Sequence, residues 1–324
     1  VYTDASSNNN INSFPFYWTY DGTAPVYLTG TYITGNNSKV KIRLSETVYD
    51  TNGGTGVLET GDFTLSISGG SATLGSVNPT AITKDTPTFS STTLENNLNG
   101  AFGLELVDLD FDGDMDIVAT GIDADDIYWY ENDGSENFTK TLIDGNLNGA
   151  LGLEINDIDG DGDLDIFATA FAGGSVVWYE NNGSQSFTKS TIATLGAAYD
   201  VRANDLDGDG DMDVIASGRN ANKMVWYAND GSQSFTENTI DNSVDGPANF
   251  DVEDVDEDGD LDLIVATLDD NDVLFYQNDG SESFTKNTID SNLPSARDVI
   301  IADIDSDGDL DAVATSSNTS GNDL

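Results

Sequence analysis

The stretch Asp108-Leu-Asp-Phe-Asp-Gly-Asp-Met-Asp116 returns four times along the chain. The copies read DIDGDGDLD over 157–165, DLDGDGDMD over 205–213, DVDEDGDLD over 254–262 and DIDSDGDLD over 303–311. Successive copies start 49, 48, 49 and 49 residues apart, a register that chance does not hold over so long a span. The same neighbours flank each copy. An alternating run precedes it, as in Gly103-Leu104-Glu105-Leu106-Val107, and an apolar run follows, as in Ile117-Val118-Ala119-Thr120. Next come an aromatic run (Tyr128-Trp129-Tyr130), a turn (Asn132-Asp133-Gly134-Ser135) and a last run beginning at Phe138.

Four short β-type runs per unit, separated by Asp, Asn, Gly and Ser, predict a four-stranded antiparallel sheet. A unit of this length is the size of one propeller blade. No apolar period of 3.6 residues persists long enough for a helix, so the fold class is all-β, a β-propeller of about 49-residue repeats. The units fall at 94–142, 143–191, 192–239, 240–288 and 289–324, the fifth stopping before its aromatic run.

Composition narrows the function. The 324 residues carry 59 acidic and 11 basic side chains, a formal charge of −48. Such a chain does not neutralise phosphate, which argues against nucleic acid and anionic membrane surfaces. No run of 18 apolar residues is present, so no membrane insertion is expected. Cysteine and histidine are absent, which removes thiol nucleophiles, imidazole-based triads and the usual zinc ligands. The start at Val1 without Met reads as a mature or trimmed chain. Oxygen ligands and hard cations remain.

The loop, written D-x-D-x-D-G-D-x-D, suits calcium, which takes six to eight oxygens. Asp108, Asp110 and Asp112 would each offer a side-chain oxygen, Gly113 would fold the loop back through a positive φ, Asp114 would offer its carbonyl, and Asp116 would close the site as a bidentate ligand. The same roles fall on Asp157, Asp159, Asp161, Asp163 and Asp165; on Asp205, Asp207, Asp209, Asp211 and Asp213; on Asp254, Asp256, Asp258, Asp260 and Asp262; and on Asp303, Asp305, Asp307, Asp309 and Asp311. About one Ca²⁺ per loop, five in all, is expected. An EF-hand is excluded, because its twelfth position here is Ala119, Ala168, Ala216, Val265 or Ala314 and β-type runs flank the loop.

The loops at blade spacing make residues 94–324 resemble the FG-GAP/VCBS family, the calcium-binding propeller repeat of integrin α heads and many bacterial surface proteins. The resemblance implies the ligand positions named above. The family's Phe-Gly and Gly-Ala-Pro signatures are scarce (Phe102-Gly103 is the nearest), and four and a half units stand where seven blades are usual. Residues 1–20 read as a strand or linker. Residues 21–93 resemble a bacterial Ig-like domain, with strand-like runs at Val26–Leu28, Val40–Leu44 and Phe63–Ile67.

Competing readings apply to the same residues. Asp-rich loops are also solvated turns, and an acidic surface is also salt adaptation, but neither explains why 25 of the 59 acids sit at fixed offsets around one glycine. Salt adaptation stays open for the rest. Trp129, Trp178 and Trp226 read as blade packing or as a stacking platform for sugars. Arg202, Arg219 and Arg297 read as local ion pairs. The expectation is an exported, calcium-stabilised propeller at a bacterial cell surface, serving adhesion, recognition or structure through a protein or glycan ligand. The alternative is a glycan-binding or polysaccharide-degrading propeller. No residue conspicuously breaks the repeat, so the chain is expected not to be an enzyme. The incomplete fifth unit reads as truncation, as an edge filled by strand donation from Phe14–Gly22, which within one chain closes the ring and between chains gives a homo-polymer, or as an edge filled by an unrelated partner protein.

Overall fold

The computed structural model describes residues 32–33, 40–41, 91, 93–305 and 308–317. The chain divides into two units, Val1–Ser91 and Thr92–Leu324. In the first, β1 (Tyr32–Ile33) pairs antiparallel with β2 (Val40–Lys41). The expected Ig-like domain and the Phe14–Gly22 strand otherwise lie outside the described residues.

The second unit is a series of blades. Blade one holds β3 (Ala101–Val107), β4 (Asp116–Gly121), β5 (Asp126–Asn132) and β6 (Phe138–Asp144), paired in sequence order. Blade two holds β7 (Ala150–Asn156), β8 (Asp165–Ala170), β9 (Ser175–Asn181) and β10 (Phe187–Thr194). Blade three holds β11 (Ala198–Asn204), β12 (Asp213–Gly218), β13 (Lys223–Asn229) and β14 (Phe235–Asp241), and blade four β15 (Pro247–Glu253), β16 (Asp262–Thr267), β17 (Val273–Asn278) and β18 (Phe284–Asp290). Blade five shows β19 (Ala296–Ala302) and β20 (Asp311–Ser316). All pairings are antiparallel, and the described residues contain no helix, so none long and apolar enough to cross a membrane.

Burial explains the sequence of each strand. The second strands are covered on both faces, so every residue of β8, β12 and β16 is buried and the apolar run is continuous. The fourth strands lie outermost, and β10 and β18 expose Thr, Lys and Ser or Asn side chains. The cores sit between blades rather than within them. Leu109, Val118, Ile127 and Trp129 of blade one pack with Leu153, Ile166, Val177 and Tyr179 of blade two, and the next two interfaces repeat the pattern. Leu104 and Leu153 occupy equivalent positions, yet Leu104 is 60 % exposed and Leu153 4 %, because only the second has a preceding blade against it among the described residues. Trp129, Trp178 and Trp226 are buried in these interfaces, so they are packing residues and present no ring face to a sugar.

Two devices join neighbouring blades. Each first strand carries a register shift, as between Ala101 and Leu104 or Ala150 and Leu153. The shift frees an N–H, and a buried hydroxyl on the second strand accepts it: Gly152 N–H donates to Thr169 Oγ1 at 2.8 Å. The Thr169 hydroxyl then donates to the Tyr199 carbonyl of the next blade at 2.9 Å. Thr120 does the same between Gly103 and Leu151, and Ser217 between Asp200 and Ala248. Near the rim, Asp144 accepts from Tyr179 Oη and Lys189 Nζ of the following blade, and Asp241 from Tyr276 Oη and Lys286 Nζ.

Thr169→Val preserves shape but leaves one buried N–H and one buried carbonyl without partners. The expected loss is roughly 2–4 kcal/mol, read by denaturant unfolding; an unchanged midpoint would mean that the hydroxyl bridge adds nothing to the blade interface.

Candidate functional site

Each acidic loop connects the first and second strands of a blade, so both its ends are held by paired backbone. The sixth loop position is glycine in every copy, with φ between 95° and 101° at Gly113, Gly162, Gly210, Gly259 and Gly308. That left-handed backbone disfavours any residue with a Cβ. It turns the glycine N–H back onto the first carboxylate: Gly113 N–H donates to Asp108 Oδ2 at 3.0 Å, and Gly162, Gly210 and Gly259 repeat the contact on Asp157, Asp205 and Asp254. The fifth carboxylate accepts from the seventh N–H, as Asp112 does from Asp114 at 2.9 Å. The loop therefore wraps around its own side chains.

Three carboxylates meet in each loop, with one oxygen from each within 4.8 Å of the others. In the first two loops these come from Asp108, Asp110 and Asp112 and from Asp157, Asp159 and Asp161. In the others the first, third and ninth positions meet: Asp205, Asp207 and Asp213; Asp254, Asp256 and Asp262; Asp303, Asp305 and Asp311. The seventh side chain stands elsewhere. Asp114, Asp163, Asp211 and Asp260 lie against Gly134, Gly183, Gly231 and Gly280 of the turn between third and fourth strands, where an added Cβ would collide with the carboxylate.

The ninth position has a structural task besides. Asp116 is buried; its Oδ1 accepts from Asn132 N–H at 2.8 Å and its Oδ2 from Trp129 Nε1 at 2.9 Å and Leu109 N–H at 3.3 Å. Asp213 and Asp262 likewise hold an N–H of the loop and an N–H of the third strand. The asparagine ending each third strand completes the clamp: Asn132, Asn181, Asn229 and Asn278 donate Nδ2 to the carbonyl of the eighth loop residue. Its sequence signal was the Asn that recurs sixteen residues after the ninth Asp of each of the first four loops, which otherwise reads as part of a turn.

The donor set fits a hard cation. It is all oxygen, without nitrogen or sulfur, and Asp108 Oδ1 and Asp205 Oδ1 are buried with no hydrogen-bond partner. Burial pushes the carboxyls of Asp110, Asp159 and Asp207 upward, and carboxylates of the same loop add to it. Burial also raises Asp165 to about 7 and Asp213 to about 6. A cation among these groups reverses the penalty on the charged form.

A second cluster lies away from the loops. The first strands of successive blades are neighbours, and their midpoints bring together Glu105, Glu154, Arg202, Asp251 and Ile300, residues that occupy one position of the repeat. Buried Asp200 pairs with Arg202 at 2.9 Å. Burial raises the carboxyls of Glu105 and Asp200, with Arg202 opposing, and takes Glu154 to about 7. This position varies between blades (Glu, Glu, Arg, Asp, Ile), whereas the aspartates of the loops recur in every copy. Arg202 and Arg219 form the expected ion pairs, with Asp200 and Asp269; Arg297 does not pair with a carboxylate among the described residues.

The fold and loops define a repeat propeller with one acidic, cation-suited loop per blade. The FG-GAP-like repeat matches residues 108–168, 157–216, 205–265 and 254–314, more than half of the chain, and the protein belongs to that family. No curated protein sequence matches it. Among solved structures, a protein provisionally described as a gluconolactonase aligns at 12 % identity and TM-score 0.45, covering 63 % of this chain and 69 % of that one. A streptogramin B lyase aligns at 16 % and 0.44, covering 62 % and 58 %. A virginiamycin B lyase from Staphylococcus aureus aligns at 15 % and 0.37, covering 63 % and 75 %. At these identities the likeness concerns the fold alone. The expectation that the chain is not an enzyme is withdrawn, since solved proteins described as a gluconolactonase and as lyases align with this fold. Its premise, that no residue breaks the repeat, fails at the first-strand midpoints, where Glu105, Glu154, Arg202, Asp251 and Ile300 differ.

Two outcomes follow for variants. Asp213→Ala strips the acceptor from Leu206 and Asn229 and should cost roughly 3 kcal/mol even in chelator, while Asp207→Ala changes little there; equal losses in chelator would refute the clamp. For Glu154, the folded value of about 7 lies above the ordinary 4.5. The neutral acid's contribution is therefore complete below pH 4.5 and fades as pH rises through 7. Glu154→Gln should melt higher than the parent at pH 8 and level with it at pH 4.5, as followed by circular dichroism.

Proposed function

We propose that this chain is an exported, calcium-stabilised propeller that serves as a recognition or adhesion module at a cell surface. The observation that carries the reading is the presence of a three-carboxylate cluster, always including the first and third positions, in all five loops, each anchored between two strands of a blade. Bare, these loops hold mutually repelling carboxylates at the end of every blade. With a divalent ion in each, the first two strands are fastened at the loop, and the Asn and ninth-Asp clamp passes that order to the third strand. The first, third and fifth or ninth carboxylates are the proposed ligands, with the carbonyl of the seventh residue added. Weak extracellular-type affinity would leave such loops empty at cytosolic calcium levels, which supports export. A protein or glycan ligand is the proposed partner.

Calcium should raise the melting temperature strongly over EGTA at low ionic strength. Linkage gives about 2.7 kcal/mol per site when free calcium stands a hundredfold above Kd. Equal melting in calcium and EGTA would sink the proposal, and rescue by sodium chloride alone would assign the acidic loops to charge screening instead.

A further inference from the structure

The seven basic side chains of residues 92–324 do not behave alike. Lys140, Lys189, Arg202, Arg219, Lys223 and Lys286 each hold a carboxylate within 3.3 Å. Arg297 is the exception among the described residues, in a chain where acids outnumber bases more than fivefold. Its Nε donates to the Tyr199 hydroxyl at 3.3 Å, and its guanidinium carbon lies 5.8 Å from the centre of the Phe102 ring. A guanidinium offers five N–H donors, so most of this one remains available.

Arg297 lines a cavity of about 430 Å³ to which all five blades contribute. That volume lies within the range of small-ligand pockets, about 300–1,000 Å³. The walls are apolar and fixed. Tyr199 stands edge-on to Phe102 at 5.9 Å and to Phe171 at 6.0 Å between ring centres. Ser295 and Ser317 add hydroxyls at the same cavity. The second arginine there, Arg219, is already neutralised by a two-point contact with Asp269, at 3.1 and 2.8 Å. Among the described residues the cavity thus has one arginine without a carboxylate partner, largely apolar walls with aromatic rings set edge to face, and two serines.

We propose that this cavity binds one hexuronic acid unit, its carboxylate on Arg297 and the C–H face of its ring on the aromatic wall. A neutral sugar would leave the guanidinium without a counter-charge. An aromatic acid would satisfy the charge but leave the serine hydroxyls unused. The assignment gives a ligand class to the recognition role proposed above. None of its residues lies in an acidic loop, so failure of the calcium test and failure of this one are separate results.

The test is calorimetric titration of the full chain in calcium with D-galacturonate, D-galactose and benzoate as probes. Galacturonate should bind about tenfold or more tighter than galactose, as loss of one charge-assisted contact implies, and also tighter than benzoate. Arg297→Gln should abolish the preference for galacturonate over galactose while melting like the parent. Equal binding of galacturonate and galactose by the unaltered chain would overturn the proposal without reference to any variant. So would absence of galacturonate binding at millimolar concentration, benzoate binding as tightly as galacturonate, or an Arg297→Gln variant that keeps the preference.

Discussion

Two backbone N–H groups far apart in sequence converge on one buried carboxylate in three of the four complete blades. At Asp116 the donor pair is Leu109 and Asn132, at Asp213 it is Leu206 and Asn229, and at Asp262 it is Val255 and Asn278. The carboxylate thereby fixes the start of its loop against the end of the third strand. A buried charge is tolerated only where such donors satisfy it. Loop shape, third-strand register and the positions of the remaining carboxylates all depend on that contact. The candidate cation site is therefore built on a scaffold that has its own hydrogen bonds.

This division of labour separates residues that look alike in sequence. The five aspartates of a loop have one chemistry and three placements. The first and third converge everywhere, the fifth or the ninth joins them, and the seventh turns to the neighbouring hairpin. Gly134 and its copies have a second constraint from this arrangement, because a side chain there would strike the seventh aspartate.

The repeat, its four strands and the loop positions were legible because period-2 runs and invariant aspartates recur at one spacing. The Asn of the third strand was visible but was read as turn chemistry, since its bond to the eighth carbonyl joins residues seventeen apart. The hydroxyl relay through Thr120, Thr169 and Ser217 was hidden for another reason. Its partner carbonyls belong to the next blade, and no pattern within a unit reports them. Arg297 and Tyr199 illustrate the limit most clearly: ninety-eight residues separate them, and only the arrangement of the blades around one cavity makes them neighbours.

The placement of the cores between blades has a further bearing on how such a chain changes over time. Each interface is made by one blade and its immediate neighbour, with the same apolar positions used on both sides. Stability then accumulates as a sum over adjacent pairs, as in other linear repeat arrays. Duplicating a whole unit adds one interface and disturbs none, whereas inserting a few residues inside a strand spoils two. Gain and loss of entire blades is thus the tolerated route of variation, and the blades already differ from one another at the first-strand midpoints, Glu105, Glu154, Arg202, Asp251 and Ile300.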